Sequence, residues 1–214
     1  MPLPKNSIIL FQGDSITDAS RNRQDQDRAN NGLGTGYAYF TATELLLEHP
    51  GLNLRFYNRG ISGNRITDLY ARVREDILNL KPDVVSILIG VNDTWHGFMY
   101  NGGVAIPKYE RVFREMLEEI RAELPRTKLV LCEPFVLKCG VVKAGWVKEM
   151  AVRRGIVRKL AEEFGAVFVP FQTEFDKAVK LAEPAYWAYD GVHPTPAGHL
   201  LMTRTWIKAV MGGA

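Results

Sequence analysis

Cysteine is scarce: only Cys132 and Cys139 occur in 214 residues. A disulfide framework or a structural zinc site needs more of them at characteristic spacing, so neither is expected. Cys132 stands inside an apolar run and reads as a small, reduced core residue. Long apolar runs are missing too. Nothing is long enough to span a membrane, and the opening "MPLPKNSIILFQGDS" lacks the apolar segment of a signal peptide. The expected compartment is the cytoplasm, with no membrane partner. Charge of one sign is also in short supply. The formal net charge is +3, and no basic stripe interleaved with aromatics offers a nucleic-acid footprint. The densest basic segment, "VRRGIVRKLAEEF", has apolar residues at helical spacing and reads as the wet face of an amphipathic helix. The histidines and acids lack ligand spacing such as His-Glu-x-x-His, so neither metal nor cofactor is called for.

What is present is ordinary globular material. A composition of 46% hydrophobic and 24% charged residues suffices for one sizeable core and argues against disorder. No linker, internal repeat or low-complexity tract breaks the chain, so residues 1–214 read as a single domain. Apolar runs and helical patterns alternate throughout. "SIILFQ", "LRFYN", "DVVSILIG", "KLVLCEP" and "AVFVP" read as strands. Helices are expected near Tyr37 to His49, and in "RITDLYARVREDILNL", "KYERVFREMLEEIRAEL" and "GWVKEMAVRRGIVRKLAEEFG". Two more are expected at about Thr173 to Leu181 and in "PAGHLLMTRTWIKAV". Asp18 to Gly36 reads as a polar loop, and "TWHGFMYNGG" as a mobile loop rich in aromatics. Continuous Ile/Val/Leu strands separated by helices imply a parallel sheet covered on both faces. Five such units predict a three-layer α/β/α domain of flavodoxin-like winding, strand order 2-1-3-4-5.

In that winding, ligands bind outside the carboxyl ends of the strands, where the order reverses between the first and third. Unusual residues stand there. The first strand runs into Gly13-Asp14-Ser15, the second into "NRGISGN", and the third into "IGVND", with Asn92 just past a glycine. Near the C-terminus, "YDGVHPTPAGH" carries Asp190 and His193, with Pro194 holding His193 extended and Thr195-Pro196 opening a helix. Each block alone has a plain structural use. Ser15 would serve as a helix cap, "NRGISGN" as a turn, Asn92 and Asp93 as a helix start, and Asp190 with His193 as a surface ion pair. Together at one sheet edge they match the needs of acyl transfer from an ester. Ser15 is then the nucleophile, His193 the general base and Asp190 the group that orients the imidazole. The oxyanion donors are the backbone N–H groups of Ser15 and Gly63 and the side-chain amide of Asn92. His96, read as a loop residue flanking the pocket, and His199, read as partly buried on the last helix, are not recruited.

The four blocks resemble the GDSL, or SGNH, hydrolase superfamily, named for its Ser, Gly, Asn and His. The match falls on Ser15 in "GDSI", Gly63 in "GISGN", Asn92 in "GVND" and His193 with Asp190 in "DGVHP", and extends from residue 8 to about 207. The resemblance implies the SGNH hydrolase fold and a Ser-His-Asp esterase without the Gly-x-Ser-x-Gly elbow of other α/β hydrolases. Taken with "GLGTGY" and "HPTPAGH", the chain is similar to bacterial acetylxylan esterases of that superfamily. Those enzymes deacetylate xylo-oligosaccharides inside the cell, and some form large homo-oligomers. The partners implied are therefore a small-molecule ester, an acetylated sugar, and further copies of the chain. The polar stretch "DASRNRQDQDRANNG" also suits a hydrated substrate. Trp95, Trp187 and Tyr189 are candidate sugar contacts, although aromatics serve core and subunit contacts equally well. Asp14 joins them by position, its simplest role being to fix the turn that presents Ser15. Three alternatives remain open. One is an acylhydrolase acting on lysophospholipids, thioesters or aryl esters. Another is a non-catalytic flavodoxin-like binding module, against which Asp14 would meet a phosphate with the wrong charge. The third is an oligomeric scaffold without activity.

Overall fold

Five short apolar strands lie side by side, all parallel: β1 (Ile8–Gly13), β2 (Arg55–Asn58), β3 (Val84–Leu88), β4 (Lys128–Cys132) and β5 (Val167–Val169). In this computed structural model, which describes residues 3–25 and 32–212, the order is β2-β1-β3-β4-β5. The reversal expected from the sequence therefore falls between β1 and β3. Ile9 of β1 registers with Phe56 of β2 and with Val84 of β3. Part of the polar 18–36 segment, residues 26–31, lies outside the described residues.

Successive side chains of a strand point to opposite faces, and each face has its own core. Ile9 and Phe11 pack into one apolar cluster and Leu10 into the other. The first cluster is roofed by α2 (Tyr37–Glu48), α7 (Phe171–Ala178) and α9 (Pro196–Ile207), through Tyr37, Phe171 and Trp206. The second is roofed by α3 (Ile66–Ala71) and α5 (Ile106–Glu123), through Leu69, Phe113 and Ile120. The long α6 (Ala144–Glu163) serves both, giving Trp146 to the first cluster and Leu160 to the second. Burying an aromatic such as Trp206 or Phe11 completely contributes roughly 2–3 kcal/mol. The described residues also hold two single-turn helices, α1 (Ser15–Asp18) and α8 (Pro184–Trp187), and the longer α4 (Val91–Tyr100). Among the described residues no helix is long and apolar enough to cross a membrane.

Three expectations are corrected. "TWHGFMYNGG" is not a loop, because most of it is the body of α4, and His96 is therefore a helical residue. Aromatics and glycines hid the periodicity, yet Trp95 and Phe98 pack on Trp146 with ring centroids 5.3 and 5.8 Å away. "RITDLYARVREDILNL" is not one helix. It forms α3 as far as Ala71 and then a wider π-type turn over Arg74–Leu78. The break follows Arg72, whose guanidinium reaches inward to Gln12, Asn64 and Asp76. Finally, the "VRRGIVRKLAEEF" segment is not wholly a wet face. Arg153 is 0% exposed. Its Nε donates to Thr94 Oγ1 at 2.9 Å and its Nη2 to Val104 O at 2.6 Å, and its guanidinium lies over the Tyr109 ring.

Candidate active site

β1 ends at Gly13, and the chain turns at once into α1. Asp14 caps that turn, its Oδ1 accepting the Ile16 N–H at 3.0 Å. Ser15 is thus the first helical residue, and the first N–H groups of a helix lack internal acceptors. Two residues of the "NRGISGN" loop anchor it to this exit. Ile61 N donates to Gly13 O at 3.1 Å, and Ser62 N to the Asp18 carboxylate at 3.0 Å. Gly63 follows at φ +84°, a backbone that L side chains rarely adopt, and a Cβ there would point into open space. Among the described residues neither Ser15 N nor Gly63 N donates to a protein acceptor.

β3 leaves the sheet through Gly90, at φ +137°, a value demanded by the turn into α4. Asn92 and Asp93 both grip the loop after β2. Asn92 Nδ2 donates to Asn64 O at 3.1 Å, which occupies one amide hydrogen and leaves the other free. The Asp93 carboxylate accepts the Ile66 N–H at 3.1 and 3.3 Å, holding the start of α3.

The last block arrives on the loop before α9. Thr195 Oγ1 accepts the Gly198 N–H and Pro196 opens the helix, as the sequence suggested. His193 Nε2 lies 2.9 Å from Ser15 Oγ across 178 residues of chain. Its Nδ1 lies 2.7 Å from Asp190 Oδ2, while Asp190 Oδ1 accepts the N–H groups of His193 and Val192 at 2.7 and 2.9 Å. Four independent segments therefore meet at the carboxyl edge of the sheet, beside a polar cleft of about 320 Å³. The match to the GDSL-like lipase/acylhydrolase family covers residues 11–201. The chain belongs to that family.

This hydrolase has well-matched relatives. The acetylxylan esterase of Geobacillus stearothermophilus is 36% identical over 98% of this chain and 96% of its own length. A crystal structure of that esterase superposes with a TM-score of 0.91 at 35% identity, covering 100% of this chain and 98% of the other. A Parabacteroides merdae protein described as a GDSL-like lipase gives a TM-score of 0.95 at 44% identity, covering 98% of each chain. Solved variants of the Geobacillus esterase include catalytic mutants in which a serine, a histidine or an aspartate becomes alanine. Family and relatives make the chain an ester hydrolase of the carboxylester class, similar over its length to a bacterial acetylxylan esterase.

The electrostatics of the hydrolase follow from burial and pairing. The hydrogen bond to Asp190 raises the pKa of His193 above the usual imidazole value, although burial opposes it. Burial would lift Asp190, but hydrogen bonds from the His193 ring and two backbone N–H groups prevail and hold it below the ordinary carboxylate value. Asp14 is 1% exposed, and burial pushes it up to about 7 against the pull of the Ile16 N–H and His193. Burial likewise lifts Asp93 to about 7, against the pull of Arg153. His199 lies along the same cleft with Nδ1 accepting the Tyr37 N–H at 3.1 Å, and burial lowers it to about 4.

The candidate substrate contacts divide. Tyr189 lines the cleft, its ring stacked on His193 with centroids 5.9 Å apart and planes 18° apart. Trp95 sits on another side of the imidazole, centroids 5.8 Å apart. Trp187 is not brought to the cleft, for it packs against Tyr186 and donates its Nε1–H to Ala182 O. Asp14 is buried beneath the serine, out of reach of a substrate. Sequence reasoning missed Arg153, and one arginine among several in a basic amphipathic helix carried no signal that could have found it. Among the described residues no group of three or more His, Cys, Asp or Glu could hold a metal ion.

Proposed function

We propose that Ser15, His193 and Asp190 form a catalytic triad that removes acetyl groups from acetylated xylo-oligosaccharides. Ser15 Oγ attacks the ester carbonyl carbon while His193 Nε2 takes the hydroxyl proton. The N–H groups of Ser15 and Gly63 and the free amide hydrogen of Asn92 receive the oxyanion. The bond to the alcohol oxygen then breaks, and the imidazolium returns its proton to that oxygen. Water, deprotonated by His193, attacks the acetyl-enzyme and releases acetate and free Ser15. Asp190 keeps Nδ1–H in place, so that Nε2 is the basic nitrogen.

The observation that carries this reading is the 2.9 Å approach of Ser15 Oγ to His193 Nε2. The half-buried Trp95 against the imidazole supports a small acyl group. Two unpaired cysteines suit a reducing, cytoplasmic setting. The test is a panel of p-nitrophenyl esters and acetylated xylo-oligosaccharides with wild type and Ser15→Ala. Acetyl esters should be cleaved fastest, with at least a ~10³-fold loss in the variant. A rate maximum at long acyl chains would overturn the acetyl reading.

A further inference from the structure

Two motifs, "GLGTGY" and "HPTPAGH", contribute only His193 to the triad and nothing to the oxyanion donors, yet both reach the same cleft. From Ser15 and His193 the cleft runs along Ser62, Ser20 and Thr35, with Tyr189 at its side. Its floor is a built feature. Ala19 and Ser20 both adopt left-handed backbone, at φ 42° and 61°, and each such residue costs on the order of 1 kcal/mol. The pair is held there by Thr35, whose N–H and hydroxyl both donate to Ala19 O, at 2.8 and 3.1 Å. The contact is tight enough that a Cβ on Gly34 would lie 2.5 Å from Asp18 O. Strain of this kind concentrates where a chain must present groups to a ligand.

The hydroxyls have a definite polarity. Thr35 Oγ1 donates to a carbonyl, and Ser62 Oγ donates to the Asp18 carboxylate at 3.3 Å. Both protons point inward, so both oxygens offer the cleft lone pairs only. Ser20, exposed, adds a third hydroxyl with no protein partner among the described residues. The Thr35 and Ser62 oxygens therefore favour an occupant that brings O–H donors of its own. A phenol or an alkyl alcohol, once esterified, brings none, whereas a partly acetylated sugar brings several. The Tyr189 ring, 63% exposed and continuing the stack from His193, offers a flat apolar face to a pyranose ring. An acetyl group alone would leave most of the cleft empty.

We infer that Ser20, Thr35 and Ser62, with the Tyr189 ring, form a subsite for the polyhydroxylated alcohol half of the ester, the half that leaves with the proton from His193. This inference rests on the triad reading above. Its test holds the acyl group constant and varies the alcohol. The readout is kcat/KM for an acetylated methyl xylopyranoside divided by kcat/KM for p-nitrophenyl acetate. For Ser62→Ala and Ser20→Ala the ratio should fall about threefold to tenfold per hydroxyl removed, carried by KM. Ser20→Gly, which relaxes the left-handed backbone while deleting the hydroxyl, should lower it equally. Methyl xylopyranoside itself should compete with p-nitrophenyl acetate more weakly in each variant. An unmoved ratio, with both substrates slowed alike, would mean a purely structural shelf and overturn the inference. A wild type that cleaves the aryl ester but does not favour the sugar ester would overturn it while leaving the triad standing. Loss of hydrolysis of both esters in wild type would sink the triad reading and the subsite together.

Discussion

The exits of β1 and β3 solve the same problem differently. Each strand passes directly into a helix, presents a reactive polar side chain, and buries an aspartate that accepts a backbone N–H. Asp14 caps its own turn, two residues on, whereas Asp93 reaches 27 residues away to hold the start of α3. Burial lifts both to about 7. Their cationic neighbours differ. Asp93 feels the permanent charge of buried Arg153, while the cation that lowers Asp14 is the titrating His193. One exit is therefore tied to the scaffold and the other to the chemistry. Two acids of equal pKa do unequal work.

Mutations can break this contrast, and the largest effect belongs at the β3 exit. Asn92→Ala should lower kcat ~10²–10³-fold with little change in KM, because its amide is one of the proposed oxyanion donors and Asp93 still holds the loop. Steady-state kinetics on p-nitrophenyl acetate would check it, and an equal loss in KM would contradict it. Next is Arg153→Met, which breaks the 2.7 Å ion pair with Glu149, removes the larger of the two cationic charges that lower Asp93, and takes a donor from Thr94. We expect about 2–3 kcal/mol of destabilisation at pH 8 by urea unfolding, less than a rigid buried pair because Asp93 can take up a proton. At pH 5 the carboxyl is already protonated in the folded state, so the deficit should shrink. A deficit independent of pH would show that packing and the Glu149 pair, not the charge on Asp93, are what Arg153 serves.

The smallest effect on turnover belongs to Asp14→Asn, which keeps an oxygen for the Ile16 N–H. A folded pKa raised from 3.8 to about 7 means that the folded state holds a proton which the unfolded chain releases between those values. Stability therefore falls as pH rises through that window. Removing the acid should stabilise the protein above pH 7, by up to about 4 kcal/mol if the whole rise from 3.8 to about 7 is realised, and by nothing below about pH 4. Hydrogen bonding to Asp190 is the main support of the raised His193 pKa, with the Asp14 charge a lesser one. The acid limb of kcat/KM should thus move down by only a few tenths of a pH unit in Asp14→Asn, roughly the scale of a secondary charge. A limb that does not move would uncouple Asp14 from the base.

Much of this was legible in the chain. The continuous apolar runs announced a doubly covered parallel sheet, since strands buried on both faces cannot alternate with polar residues. Pro194 and Thr195-Pro196 announced a stiff approach to α9, and His193 stands at its mouth. The α4 helix was not legible, because Gly97 and the aromatics in "TWHGFMYNGG" have middling or poor helix propensity and their packing on Trp146 is a long-range fact. Nor was Trp187 separable from Tyr189: two aromatics two residues apart end in different surroundings because α8 stops between them.

The sequence by itself determined the five strands, their winding and the residue types brought to the sheet edge, because local periodicity and turn chemistry act over a few residues. Only the tertiary structure decided which charges would be buried and which hydroxyls would face the cleft. Arg153, Asp93 and Asp14 owe their state to partners elsewhere in the chain, and burial energy depends on the finished surroundings. Thr35 and Ser62 likewise became acceptors only when the carbonyl of Ala19 and the carboxylate of Asp18 took their protons.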